Sequence, residues 1–268
     1  MKKMRFPFLI WICLSLLCSA FASETEEMQV DESGIYAYIS SEEGVTLSEF
    51  LSSDFSGVLK IPETIAGQPV IAIGEMAFCG VKNVWSVVLP NSIQTIGRSA
   101  FSDSGIRSIV INEGLKEIDE AAFARSRITS IYIPASVERM EQSAFYGCSN
   151  LRSVRIDAQL KKIGWRTFFE CISLYEIALP QSIKLIEDEA FYFCQSLHNI
   201  ELPEHMEEIG NNAFWGCENL LRIRLPRNLQ NIGDGAFEET GVETIYISKD
   251  AQFKWPEAFR DSICIVYE

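Results

Sequence analysis

Histidine is nearly missing from this 268-residue chain, which carries only His198 and His205. No acidic or cysteine set stands in register around either one. That leaves little material for a metal centre or a catalytic triad. Basic residues are also in short supply, with 23 Lys and Arg against 37 Asp and Glu and a net charge of −14. Lys2, Lys3 and Arg5 lie in a segment read below as removed, and without them the balance is 20 − 37 = −17. Binding to nucleic acid needs a basic face, so that class is excluded, as is electrostatic docking on an anionic bilayer. The chain has no nucleophile elbow, phosphate loop or metal motif, and no N-x-S/T sequon. Enzyme function and a cofactor are therefore not expected. Eight cysteines are too few for a disulfide scaffold of this length. A hydrophobic fraction of 47% is ordinary for a globular protein and argues against wholesale disorder.

Long apolar runs occur once. Lys2, Lys3 and Arg5 precede an apolar stretch from Phe6 to Leu17, and Ala20-Phe21-Ala22 offers small residues where a signal peptidase reads. Residues 1–22 are read as a secretory signal peptide cleaved after Ala22. One alternative is an uncleaved anchor, against which the run falls short of the ~20 residues a spanning helix needs. The other is lipid attachment at Cys18, where Leu17 is bulkier than such sites usually carry. No integral span is expected after cleavage. Residues 23–33 are acidic and polar and read as a flexible tether.

Phenylalanine recurs at 78, 101, 123, 145, 168, 191, 214, 237 and 259, always 22 or 23 residues apart. Alanine precedes it in every case but Thr167. Five residues earlier stands Ile73, Ile96, Ile118, Met140, Ile163, Ile186, Ile209 or Ile232. An L-x-x-I-x-L triplet follows, as in Leu151/Val154/Ile156 and Leu220/Ile223/Leu225, and its alternating part reads as a short strand. Proline often ends it, at Pro90, Pro134, Pro180, Pro203 and Pro226. A unit with one short strand cannot close a core alone, but stacked units can. The expectation is a solenoid with a parallel sheet along one side, its nine rungs making a rod of about 40 Å.

The unit Ala144-Phe145-Tyr146-Gly147-Cys148, followed by Leu151, Val154 and Ile156, resembles the BspA-like, or treponemal-type, leucine-rich repeat family. The resemblance covers about Val70 to Ile247, and the stretch from Gly44 to Phe78 is similar to that family's usual lead-in segment. It implies an α/β-type leucine-rich-repeat solenoid with its parallel sheet on a concave face. It also implies surface or secreted adhesion and host-interaction roles in bacteria. The chain divides into an N-terminal cap with lead-in segment (34–69), repeats (70–250) and a C-terminal cap repeat (251–268). Ile35, Ala37 and Ile39, with Val45 and Leu47, predict a hairpin over the first rung. Lys254 to Phe259 open a degenerate ninth unit that Ile263, Ile265 and Val266 close. Glycine follows the repeat isoleucine at Gly74, Gly97, Gly164, Gly210 and Gly233, but Asp119, Glu141 and Glu187 replace it elsewhere. If that position needs positive φ, those three rungs are strained or differently turned.

Three columns invite a functional reading. Cys148, Cys171, Cys194 and Cys217 stand three residues after the phenylalanine, where other units have Val81, Ser104, Ser126 or Thr240. Equivalent Cβ atoms about 4.8 Å apart and pointing the same way suit neither a disulfide nor a tetrahedral metal site. The column reads as buried free thiols, with little labelling in the native state and about six sites after unfolding. Cys79 and Cys264 lie too far apart to pair. The outward strand column runs Val88, Val110, Tyr132, Arg155, Ala178, Glu201, Arg224 and Tyr246, beside Ser86, Ser108, Ser130, Ser153, Glu176, Asn199, Arg222 and Thr244. Trp85, Val88, Val110, Tyr132 and Tyr246, with Arg155, Arg222 and Arg224 as polar anchors, form a candidate partner-binding patch. β-Propensity alone is the competing account of the apolar half. Tyr146, Phe169, Tyr192 and Trp215, joined by Phe193, form an aromatic ridge that either shields the thiols or serves association. The expected function is that of an exported, non-enzymatic binding protein for host extracellular or envelope proteins. The alternative is an envelope scaffold.

Overall fold

The computed structural model describes residues 27–250 and 263–268. The signal peptide, Cys18, the first part of the tether and the Lys254–Phe259 unit lie outside the described residues. The chain winds as a parallel β-solenoid, and no helix occurs among the described residues. The helical layer implied by an α/β-type repeat is thus replaced by turns. The reason lies in the backbone: two residues per coil adopt left-handed φ, two before and two after the phenylalanine. Arg166 (φ 53°) and Glu170 (φ 54°) around Phe168 are one example, and Glu189 (φ 56°) and Phe193 (φ 58°) around Phe191 are another. An α-helix of L-residues cannot pass through such positions.

Each coil has three bonded sides. On the first, the predicted I-x-L strands pair in parallel and in register. Val84–Val88 pairs with Ser108–Val110; Ser130–Ile133, Ser153–Ile156, Glu176–Ala178 and Asn199–Ile200 follow; then come Arg222–Leu225, Thr244–Ile247 and Cys264–Tyr267. This ladder is interrupted after Val110 and again after Ile200. The second side was not foreseen as a sheet: the isoleucine column forms two-residue strands such as Thr95–Ile96, Glu117–Ile118 and Arg139–Met140, also paired in parallel. It breaks between Met140 and Lys162. The third side carries no regular strand, yet it runs unbroken. Phe78 N–H donates to Ala100 O, Phe145 to Thr167 O and Phe214 to Ala236 O, with matching bonds in every coil from Met76 to Glu238. This side holds the coils together where the two sheets break.

The core lies between these three sides. Phe78, Phe101, Phe123, Phe145, Phe168, Phe191, Phe214 and Phe237 are buried and stack ring on ring at 5.1 to 5.5 Å. Phe50, 28 residues before Phe78 and so outside the sequence period, adds a ring at 5.3 Å. Tyr36–Ser40 and Val45–Phe50 form a hairpin, in which Tyr36, Ala37 and Tyr38 of the first strand are buried rather than Ile39, together with Val45, Leu47 and Phe50 of the second. Within the tether range, Gln29–Val30 adds an antiparallel strand to the hairpin. Burial opposes the charge on Asp31 there, but the Ser33 hydroxyl and the N–H groups of Tyr36, Ser33 and Ile35 donate to its carboxylate and hold it below its ordinary range.

The repeat glycines correct a further expectation. None of Gly74, Gly97, Gly164, Gly210 or Gly233 has positive φ. Most are glycine because the preceding coil comes too close: a Cβ on Gly210 would sit 2.5 Å from Asp188 N, and one on Gly233 2.4 Å from Asn211 N. Asp119, Glu141 and Glu187 therefore need no left-handed backbone.

Candidate partner-binding face

The long-strand face presents its outward columns at a spacing fixed by parallel register. Val88 lies opposite Val110, Tyr132 opposite Arg155, and Arg155 opposite Ala178. Trp85 is 51% exposed, Val110 49% and Tyr132 39%, while Val88 and Tyr246 are half-buried. The serine column beside them is a hydroxyl strip in which Ser86 Oγ and Ser108 Oγ lie 2.8 Å apart.

The arginines are not equivalent. Arg155 donates two bonds of 3.0 Å to the Asp157 carboxylate and lies over the Tyr132 ring at 5.5 Å. Tyr132 donates its hydroxyl to Asp157 at 3.0 Å. The Arg155 bond holds the Asp157 carboxyl below its usual value, and the bond to Asp157 raises the Tyr132 phenol. Arg224 is bound by the Glu268 carboxylate and covers the Tyr246 ring at 5.4 Å. Only Arg222 of the three expected anchors has no ion pair among the described residues. Such exposed pairs are worth about 0–1 kcal/mol, so Arg155 and Arg224 can exchange partners at little cost.

Further along the face, two adjoining concavities of about 640 and 440 Å³ share His198 and Asn199. The larger opens over Ala178, the smallest side chain of the central column, and Tyr175 stacks on His198 at its wall at 5.7 Å. Sequence reasoning found no ligand set around His198 and did not single out Tyr175. The signal available was the dip from Arg155 to Ala178 in the outward column.

The two other columns face elsewhere. The four cysteines are free and fully buried. Each thiol donates to the carbonyl of the phenylalanine one coil back, as Cys148 to Phe123 O at 3.0 Å and Cys171 to Phe145 O at 3.2 Å. Burial raises all four thiols, Cys148 to about 12. Cys264, by contrast, is exposed and Cys79 half-buried, so the expectation of little native labelling holds for the buried column and not for these two. Among the described residues, no group of three or more His, Cys, Asp or Glu is arranged to hold a metal ion. Tyr146, Phe169, Tyr192 and Trp215 stack at 4.7 to 5.0 Å and are half-buried, with Phe193 tilted against Tyr192 and Trp215. Arg166 lies over Phe169 at 5.0 Å and over Trp165 at 4.4 Å, and pairs with Glu189 at 2.7 Å. The ridge is thus packed on itself and clamped by this arginine.

A coil of this length, with a stacked phenylalanine core and an open strand face, defines a leucine-rich-repeat solenoid. The chain belongs to the BspA type leucine rich repeat region family, whose model matches residues 48–166 and 139–265 in six copies. A leucine-rich repeat protein from Bacteroides ovatus is 23% identical, with 93% of this chain and 79% of that one covered and a TM-score of 0.50. The pneumococcal vaccine antigen PcpA is 19% identical over 84% of this chain and 73% of its own, with a TM-score of 0.57. Both likenesses concern the fold. A leucine-rich repeat protein from Bacteroides capillosus is 30% identical over 46% of this chain and 94% of its own, with a TM-score of 0.41. No curated protein matches the chain. Among the described residues, no helix is long and apolar enough to cross a membrane.

Proposed function

We propose that the protein is an exported, non-enzymatic binding protein that engages protein partners on its long-strand face. The observation that carries this reading is that Trp85, Val110 and Tyr132 stay exposed in three successive coils, while the alternate strand residues Val87, Ile109 and Ile131 are buried in the core. A monomer usually avoids such a patch. Export rests on the signal-like residues 1–22, with the mature protein secreted, periplasmic or held at the cell surface. The fold it shares with a pneumococcal vaccine antigen supports a surface setting. Residues 34–69 serve as the N-terminal cap and 251–268 as the C-terminal one. The half-buried ridge supports a packing role for Tyr146, Phe169, Tyr192, Phe193 and Trp215.

Immobilised protein should capture a partner from extracellular-matrix or envelope proteins. The double substitution Val110→Glu/Tyr132→Glu should abolish capture while leaving the circular dichroism spectrum unchanged. Capture that survives this substitution overturns the reading. Protease sensitivity in intact cells places the protein: cleavage without opening the outer layer indicates the surface, and protection indicates an envelope scaffold.

A further inference from the structure

The concavity over Ala178 has a chemistry distinct from the apolar patch. Glu176 and Glu201 line it, and neither has an ion-pair partner among the described residues. The cation that also lines it, Arg155, places both of its hydrogen bonds on Asp157 rather than on either glutamate. Tyr175, 55% exposed, and the His198 stacked on it form an aromatic wall. Arg222 stands in the adjoining concavity, and Arg224, one coil beyond Glu201, is taken by Glu268.

We infer that this notch receives an arginine side chain of a protein partner. The inference rests on the reading of the long-strand face as the binding surface and names the chemistry of what binds there. Two unpaired carboxylates beside an aromatic wall complement a planar guanidinium, which donates hydrogen bonds to carboxylates and stacks its face on a ring. The protein uses the same pairing internally, with Arg155 over Tyr132 next to Asp157 and Arg224 over Tyr246 next to Glu268. Ala178 supplies the depth, because any larger side chain in that position would fill the space between Arg155 and Glu201. The net charge of −14 steers basic partners to the protein as a whole, and the notch selects the guanidinium.

The test uses purified protein with fluorescent hexa-arginine, hexa-lysine and hexa-glutamate peptides, read by anisotropy near physiological ionic strength. Hexa-arginine should bind more tightly than hexa-lysine, and hexa-glutamate should not bind. Ala178→Leu fills the notch without changing charge, and Glu176→Gln/Glu201→Gln removes the charge without filling it. Each should weaken hexa-arginine binding roughly fivefold or more, the size expected for losing contacts to two exposed carboxylates. The charge-matched control Glu42→Gln/Glu63→Gln, at exposed sites near the N-terminal hairpin, should leave it unchanged. Equal binding by wild type and Ala178→Leu, or equal weakening by the control pair, overturns the inference. If Val110/Tyr132-dependent capture persists in that case, the binding face stands and the arginine notch alone falls.

Discussion

A buried phenylalanine in each coil touches its equivalents above and below, so its loss is felt by three coils. Phe168 is fully buried between Phe145 and Phe191, at 5.4 and 5.3 Å. Phe168→Ala should cost about 3–5 kcal/mol in urea denaturation, as aromatic truncations in close-packed cores do. A cost near zero would mean that the ring stack is not what packs the coils. The thiols beside it make a second residue-scale prediction. Burial raises the Cys171 thiol well above its ordinary range, so the folded state holds it protonated. Its contribution is fully present below the unfolded value of about 8.5 and is lost as pH rises from there towards the folded value. Above that pH the stability of Cys171→Ala should fall less steeply than that of wild type, by about 1.4 kcal/mol per pH unit. Parallel slopes would show that the site does not discriminate thiol from thiolate. Native thiol labelling should reach Cys264 first and Cys79 more slowly, with Cys148, Cys171, Cys194 and Cys217 reacting only on unfolding.

At the scale of the element, the turn around the phenylalanine is where sequence reading was weakest. The period marked the core column, which repeats as phenylalanine, and the outward strand column followed from its place between two inward strand residues. It hid the left-handed positions, since these are filled by Arg166, Glu170, Glu189 and Phe193 as readily as by Gly147 or Gly216. It also misdirected attention to the glycine after the isoleucine, whose reason is close approach between coils rather than φ. Two substitutions separate these causes. Glu170→Gly should stabilise the protein by up to about 1 kcal/mol, because glycine accepts a left-handed backbone without steric cost. Gly210→Ala should destabilise it by about 1–3 kcal/mol, because the added methyl meets the Asp188 backbone of the previous coil. Thermal or urea melts of both variants check the two signs, and a stabilising Gly210→Ala would contradict the close-approach account.

Across the whole molecule, the two sheets break at different coils, and the unpleated third side carries continuity through each break. The solenoid and its family were legible because one period fixes the stack. The second ladder was not, since two-residue strands leave no alternation to read. Phe50 escaped notice because the lead-in segment has a different length from the repeats. On the candidate face, the outward residues could be listed from the strand pattern alone. The pairing of Arg155 with Asp157 and of Arg224 with Glu268, and the notch over Ala178, depend on which coil neighbours which and at what depth.

The central claim is that partners bind the long-strand face rather than the aromatic ridge. Hydrogen–deuterium exchange of the protein with and without a captured partner tests it directly. The account predicts new protection within residues 84–88, 108–110, 130–133, 153–156 and 176–178, with the loops around Tyr146, Phe169, Tyr192 and Trp215 unchanged. Protection confined to those aromatic loops, with the strands unaffected, would contradict it.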